Sequence, residues 1–320
     1  MHVHHGEALG LVAAMKLARV ATPVLLTLHV SARGLRRSLA PYRVDGRRLG
    51  ADEGRLLHRV VGMRVRGWLD RAALALADQV SFISQSAAVD VLGAARAEHA
   101  VVVYNGLPEP VDCPGEVPER ADLLFVGTYT VRKRPHLLPL VLARVRERMP
   151  ECRMRVVGFA PEPGSELLRT ARALGVQDAF VFEGPLPAAD LARLYRASRV
   201  LLVPSAYEGL PMVILEALQQ GVPCVATRVS GHPEVIRQGE NGILVSVDRP
   251  HEMADAALQI LEDPALARRM GEAGRTVVAE RFTLERQTEE YLGLYRRLRA
   301  EGALRRSGAS ARAAAMDGPR

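Results

Sequence analysis

Three cysteines, Cys113, Cys152 and Cys224, are all that the 320 residues carry. Odd in number and far apart, they form neither a disulfide framework nor a zinc spacing, which predicts a reducing, cytoplasmic compartment. Aromatic residues make up 4% of the chain. With no recognition module in view, that is too few for base stacking, and a nucleic-acid partner is not expected. Hydrophobic residues reach 48%, yet no uninterrupted apolar run approaches the ~20 residues of a membrane helix. Met1 is followed by histidines where a secretory signal would show a basic and then an apolar stretch. Lysine is scarce, because nearly all of the basic residues are Arg, and the formal net charge is +7. Such an excess favours acidic partners, phosphates or anionic lipid headgroups, without choosing between them. Chemical motifs are missing too. No G-x-G-x-x-G follows a strand ahead of an acidic residue, which removes the dehydrogenase reading. Neither a nucleophile elbow nor a D-x-D metal motif is found.

What the chain does have is alternation. Near-continuous apolar strands repeat between helical stretches, the pattern of a doubly wound parallel sheet, and the length suits two domains. The most informative stretch is SAYEGLPMVILEALQQ, Ser205 to Gln220. It leaves an apolar strand, Arg199 to Pro204, crosses a short loop and enters a helix with Pro211 as its expected first residue. Glu208 lies in the loop and Glu216 inside the helix, where it interrupts the apolar run Val213, Ile214, Leu215, Ala217, Leu218. A carboxylate on a buried face needs donors, and a vicinal diol such as ribose offers two. Helix-start N–H groups and the positive dipole end suit phosphate. The stretch therefore reads as a nucleotide-sugar cradle or, more simply, as a strand–loop–helix with two solvated glutamates.

Glu208 to Thr227, EGLPMVILEALQQGVPCVAT, followed by SGHPEVIRQGENGILV, resembles the retaining glycosyltransferases of family 4 (group 1). Their signature is E-x7-E, then G-x-P-V-V-A and a G-G-x-x-E loop. Ser230 departs from it by replacing the first Gly of that loop. The resemblance implies α/β architecture of the GT-B type, two Rossmann-like parallel-sheet domains, of which the N-terminal one is truncated here. The implied organisation is a partial acceptor-side domain over 1–106, a linker over 107–120 and a nucleotide-sugar domain over 121–282. A helix over 283–300 would cross back to the first domain, ahead of a disordered tail, 301–320. Either the start codon is assigned too late or the chain is truly shortened.

The implied chemistry is metal-independent, cofactor-free transfer from a UDP- or GDP-sugar with retention of configuration. Glu216 would bind ribose and Glu208 the donor sugar. Gly127, Lys133, Gly209 and the N–H groups of Leu210, Met212 and Val213 would surround the diphosphate. His4, matching the second His of the family's H-x-H segment, would reach the sugar from the opposite domain; the plainer reading of His2, His4 and His5 is an exposed N-terminal tail that binds metal adventitiously. Thr128 stands where the family has an Arg that holds the diphosphate, and either Arg132 or Arg134 would have to replace it. His29, at the end of the apolar run Thr22 to Val30, is a further site candidate or an ordinary structural histidine. From Arg33 to Arg71, eleven arginines stand against four acids. This is an acceptor-side surface, a peripheral contact with anionic membrane, or a solvated basic face. The acceptor is a glycan, a lipid or a small molecule. An inactive homologue serving as a nucleotide-binding or regulatory subunit is the rival, and a nucleotide-sugar epimerase a third reading.

Overall fold

The computed structural model describes residues 2–4, 13, 23–29, 42–44, 47–49, 68, 72–110 and 121–316; for 3–4, 42–44, 47–49, 121–122 and 302–316 it describes the backbone. The Arg-rich region therefore lies mostly outside the described residues, apart from the antiparallel pair β3 (Tyr42–Val44) and β4 (Arg47–Leu49) and the exposed Trp68.

The first sheet is four-stranded and parallel: β1 (His2–His4), β2 (Leu25–Leu28), β5 (Gln79–Phe82) and β6 (Val101–Val102), lying side by side in that order. Strand β2 is half the length expected from its apolar run, because Pro23 cannot donate to a ladder and Val24 turns its N–H to the Asp78 carboxylate at 2.8 Å. Helices α1 (Gln85–Leu92) and α2 (Ala94–Ala97) follow β5. They are two helices where the sequence reads as one, broken at Gly93, whose φ of 83° is not helical.

The second sheet has six parallel strands in the order β12-β11-β10-β7-β8-β9. These are β7 (Ala121–Val126), β8 (Met154–Val157), β9 (Phe180–Glu183), β10 (Ser198–Val203), β11 (Cys224–Thr227) and β12 (Gly242–Val245). The chain starts at the centre, winds outward through β8 and β9, then returns to build the other half from β10. Central strands are apolar on both faces because both are covered. Leu123 and Phe125 of β7, with Val200 and Leu202 of β10, face one core; Leu124, Leu201 and Val203 face the other. The first core is closed by α3 (Leu138–Arg148) and α8 (Pro250–Glu262). The second is closed by α6 (Met212–Gln219) and by Val277 and Val278 of α9 (Pro264–Arg281). Helices α4 (Glu166–Ala173) and α5 (Ala188–Arg196) follow β8 and β9, and the short α7 (His232–Val235) follows β11.

Two stretches of chain pass between the sheets, and they are bonded to each other. The Leu107 N–H donates to the Phe282 carbonyl at 2.8 Å, and the Leu284 N–H donates to the Leu107 carbonyl at 2.9 Å. A Cβ on Gly106 would fall on the Thr283 carbonyl, so only glycine fits beside this crossing. The last helix, α10 (Leu284–Met316), then sets Leu294 and Leu298 against Leu25 and Val103 of the first domain. Its backbone stays helical to Met316, past Gly302 where the sequence predicts loss of structure. The segment is rich in Ala and Arg, both strong helix formers, which extend a helix already nucleated by packing.

Candidate functional site

In a doubly wound sheet the ligand crevice opens at the carboxyl ends of the strands where the winding reverses. Here that point lies between β7 and β10, which pair directly. The loops leaving these two strands carry the candidate residues. After β7, the N–H groups of Lys133 and Arg134 both donate to the Thr130 carbonyl at 3.1 Å, closing a tight turn. Arg134 sits in the left-handed region at φ 52°, where its buried guanidinium pairs with Asp248. That ion pair pins the turn from behind. Arg132 and Lys133 are left facing the loop after β10, and the Ala206 N–H stitches the two loops together through the Arg132 carbonyl at 2.8 Å.

Glu208 fills the space between them. Its Oε1 meets Lys133 Nζ at 2.7 Å and accepts from Ser205 Oγ at 2.9 Å. Its Oε2 meets Arg132 NH1 at 2.5 Å, and the same guanidinium nitrogen donates to the Tyr207 carbonyl at 3.2 Å. The Glu208 side chain is 7% exposed. Burial by itself would raise its carboxyl, but Lys133 and Arg132 outweigh this and hold it below the usual carboxylate range. Of Arg132 and Arg134, then, the structure places Arg132 in the crevice and commits Arg134 to Asp248. Thr128 is exposed at its rim. Gly127 is close enough to Lys133 that a Cβ there would lie 3.6 Å from the lysine Cδ.

Helix α6 opens one residue later than its proline suggests. Pro211, with ψ 89°, is the cap, and its carbonyl accepts from the Ile214 and Leu215 N–H groups. Among the described residues, none accepts a hydrogen bond from the N–H of Leu210, Met212 or Val213. These donors lie at the positive end of the helix, a few residues along the chain from Glu208. Glu216 is one turn further in, apart from that cluster. Its Oε2 accepts from the hydroxyl of Tyr195 on α5 at 2.8 Å. The phenol is buried, and both burial and the facing carboxylate push its ionisation well up. It therefore keeps its proton and donates a hydrogen bond to Glu216, fixing the carboxylate.

The loop after β11 lies over Glu208. Gly231 donates to the Glu208 carbonyl at 3.4 Å, and a Cβ on it would fall on the Gly209 carbonyl. Ser230, just before it, holds φ 41°, a left-handed conformation that the family's glycine adopts freely and serine does not. His232 is fully buried. Its Nδ1 lies 2.6 Å from the Thr227 carbonyl, while its Nε2 has no partner among the described residues. Burial lowers its pKa to about 4, so the ring is neutral near pH 7. Neither Tyr195 nor His232 stands out in the sequence. A tyrosine on an amphipathic helix looks like core, and a histidine between Gly231 and Pro233 carries no spacing signal.

The first domain reaches the site at the end of β2. A Cβ on Gly209 would land on the His29 carbonyl, so the end of β2 rests on the loop that carries Glu208. His4 ends β1, its backbone in register with Thr27; its side chain lies outside the described residues. Glu234 clasps the two domains. Its carboxylate accepts from the N–H groups of Gln85 and Ser86, both at 2.8 Å, and from the Tyr104 hydroxyl at 3.0 Å. Among the described residues no group of three or more His, Cys, Asp or Glu could hold a metal ion, and no helix is long and apolar enough to cross a membrane.

With this geometry in place, comparisons become informative. The family described as glycosyl transferases group 1 matches residues 114–277. The chain is 33% identical over 231 residues to D-inositol 3-phosphate glycosyltransferase of Thermobifida fusca, covering 66% of this chain and 53% of that protein. It is 37% identical over 173 residues to N-acetyl-alpha-D-glucosaminyl L-malate synthase of Bacillus anthracis, covering 54% and 44%. The chain thus spans about half the length of these relatives. Among solved structures, Anabaena HepE in complex with UDP and glucose superposes with a TM-score of 0.73 at 20% identity, over 92% of this chain and 77% of that one. Sucrose-phosphate synthase from Thermosynechococcus elongatus gives 0.72 at 24% identity, over 94% and 73%. At such identities the likeness speaks for the fold, which is the GT-B arrangement of two parallel-sheet α/β domains.

Proposed function

Because the chain belongs to the glycosyl transferases of group 1, we infer that it transfers a sugar from a nucleoside diphosphate to the hydroxyl of a small anionic acceptor, with retention at the anomeric carbon. The observation that carries this reading is the crevice itself. Two cations, Lys133 and Arg132, and the N–H groups at the start of α6 converge where the sheet's winding reverses. Lys133, Arg132 and the N–H groups of Leu210, Met212 and Val213 take the diphosphate, beside Gly127, Thr128 and Gly209. Glu216, steadied by Tyr195, takes the ribose hydroxyls.

Glu208, released from the two cations as the phosphates arrive, accepts from donor-sugar hydroxyls, and His4 meets the sugar from the first domain. Catalysis then consists of holding the reacting atoms together and meeting the charge that develops on the leaving phosphate. In front-face transfer that phosphate also receives the acceptor's proton. No step calls for a metal ion. The acceptor class follows from the relatives named for inositol 3-phosphate and malate, both hydroxylated anions, and it agrees with the seven-charge arginine excess between Arg33 and Arg71.

Thr128 speaks for the rival, an inactive nucleotide-binding homologue, since one family cation is missing there. Arg132 answers it by supplying a guanidinium in the same crevice. The test is direct. Wild type is titrated with UDP- and GDP-linked sugars, and transfer to inositol 3-phosphate and to malate is followed by NMR at the anomeric proton. Binding that weakens at least tenfold in Glu216→Ala, together with an α-linked product from an α-linked donor, is expected. Wild type that ignores every sugar nucleotide, or Glu216→Ala that binds them equally well, refutes the reading. Binding without transfer makes the rival correct.

A further inference from the structure

His232 is a buried imidazole in a place where nothing requires one. Its Nδ1 sits 2.6 Å from the Thr227 carbonyl of β11. A carbonyl oxygen only accepts, so Nδ1 carries the hydrogen and Nε2 is a bare lone pair. That lone pair has no partner among the described residues and no access to water, a condition that buried polar atoms rarely tolerate. The charged groups around the ring come from three directions. Glu208 belongs to the loop after β10, and Lys133 and Arg132 belong to the loop after β7; all three act on the ring electrostatically. On its own short helix, Glu234 turns its carboxylate away to Gln85, Ser86 and Tyr104.

At present Glu208 has two cations to itself, and a third would be surplus. Burial and the two cations both oppose a proton on His232, against the pull of Glu208. A bound diphosphate changes this balance, on the reading of the crevice given above. Lys133 and Arg132 turn to the phosphates, and Glu208 is left buried without its neutralising charge, which is costly.

We propose that His232 is the reserve cation of Glu208: when a sugar nucleotide draws Lys133 and Arg132 away, one proton reaches Nε2 from solvent through the space those two side chains vacate, and the imidazolium replaces the lost positive charge. The step balances, with one proton leaving water or buffer and one N–H bond forming on the ring. Donor binding and proton uptake are thereby coupled, so the donor binds more tightly as pH falls toward the free ring's pKa of about 4. Glu208 keeps its negative charge throughout and remains able to accept from the sugar.

Isothermal titration calorimetry counts the proton. UDP-glucose and GDP-mannose are titrated at pH 6 in buffers of different ionisation enthalpy. Their diesterified phosphates do not titrate there, whereas the terminal phosphate of a free nucleoside diphosphate would, near about 6. Wild type is expected to take up about one proton per bound molecule. His232→Asn keeps an N–H for the Thr227 carbonyl but cannot be protonated, and His232→Leu fills the same space; both should bind with no uptake. Thermal unfolding reports whether each variant is folded. Binding by wild type with no proton uptake overturns the proposal, and so does unchanged uptake in His232→Asn, which would assign the proton to Glu208 itself. If wild type binds neither sugar nucleotide, the donor reading falls and this proposal falls with it; the two failures are distinguished by whether any heat of binding is seen.

Discussion

Glu208→Gln separates what the carboxylate does for the fold from what it does for the ligand. The side chain is 7% exposed, and its partners Lys133 and Arg132 are 12% and 29% exposed. Removing the negative charge leaves two largely desolvated cations facing a neutral amide. The cost lies between that of a surface pair and that of a buried one, about 2–3 kcal/mol, or a fall of several degrees in Tm for a chain of this size. The same change removes a competitor for the phosphates, because the two cations no longer have to leave a carboxylate to reach them. UDP or GDP, which carry no sugar for Glu208 to contact, should therefore bind the variant about tenfold more tightly than wild type. Transfer should fall at the same time.

Acid acts in the same direction as the substitution. Glu208's carboxyl is held below its ordinary value of 4.5. Its contribution to stability is thus complete above about pH 4.5 and lost as pH falls through the lower folded value, so wild type and variant converge at low pH. Differential scanning calorimetry with and without UDP, at pH 7 and at pH 4, reads every arm. An unchanged Tm at pH 7, or weaker UDP binding by Glu208→Gln, would refute the reasoning.

Three other perturbations have defined outcomes. Ser230→Gly relieves a residue at φ 41° and should stabilise the protein by about 1 kcal/mol, visible as a higher denaturant midpoint with unchanged slope. Tyr195→Phe deletes the 2.8 Å hydrogen bond that steadies Glu216; sugar-nucleotide affinity should drop about fivefold to tenfold while UDP-independent packing is kept, and an unchanged Kd would remove Tyr195 from the site. Glu234→Gln weakens a carboxylate that accepts from Gln85, Ser86 and Tyr104; hydrogen exchange at the start of α1 should speed up severalfold, and exchange confined to its old rate would show that other contacts hold the domains together.

How much of this was legible in the sequence depends on whether a feature is local. The strand before Ser205, the loop with Glu208 and the helix with Glu216 are contiguous, and period and turn chemistry display them; only Pro211 shifts, to the cap. The two-residue β6 and the break at Gly93 are harder, since a run such as AVVVYNG, Ala100 to Gly106, is apolar for reasons beyond pairing. Partnerships are the part that no window contains. Lys133 and Glu208 were each candidates, but their 2.7 Å contact spans 75 positions and exists only because β7 and β10 are neighbours. The same holds for the division of labour between Arg132 and Arg134, adjacent but one in charge, which is decided by the distant Asp248. His232 and Tyr195 were invisible because their chemistry comes from what surrounds them.

The bonded strands at Leu107 and Thr283 limit how the molecule can open. Two unconnected tethers would let one half slide, shear or tumble against the other. These two are laced together by backbone hydrogen bonds, with no room for even a methyl group at Gly106, so sliding one past the other would break those bonds. A hinge there would leave only turning about that line, and such a turn would carry the end of β2 toward or away from Gly209. Under the proposed transfer, such a path would bring the two sides of the crevice back to one alignment after each cycle.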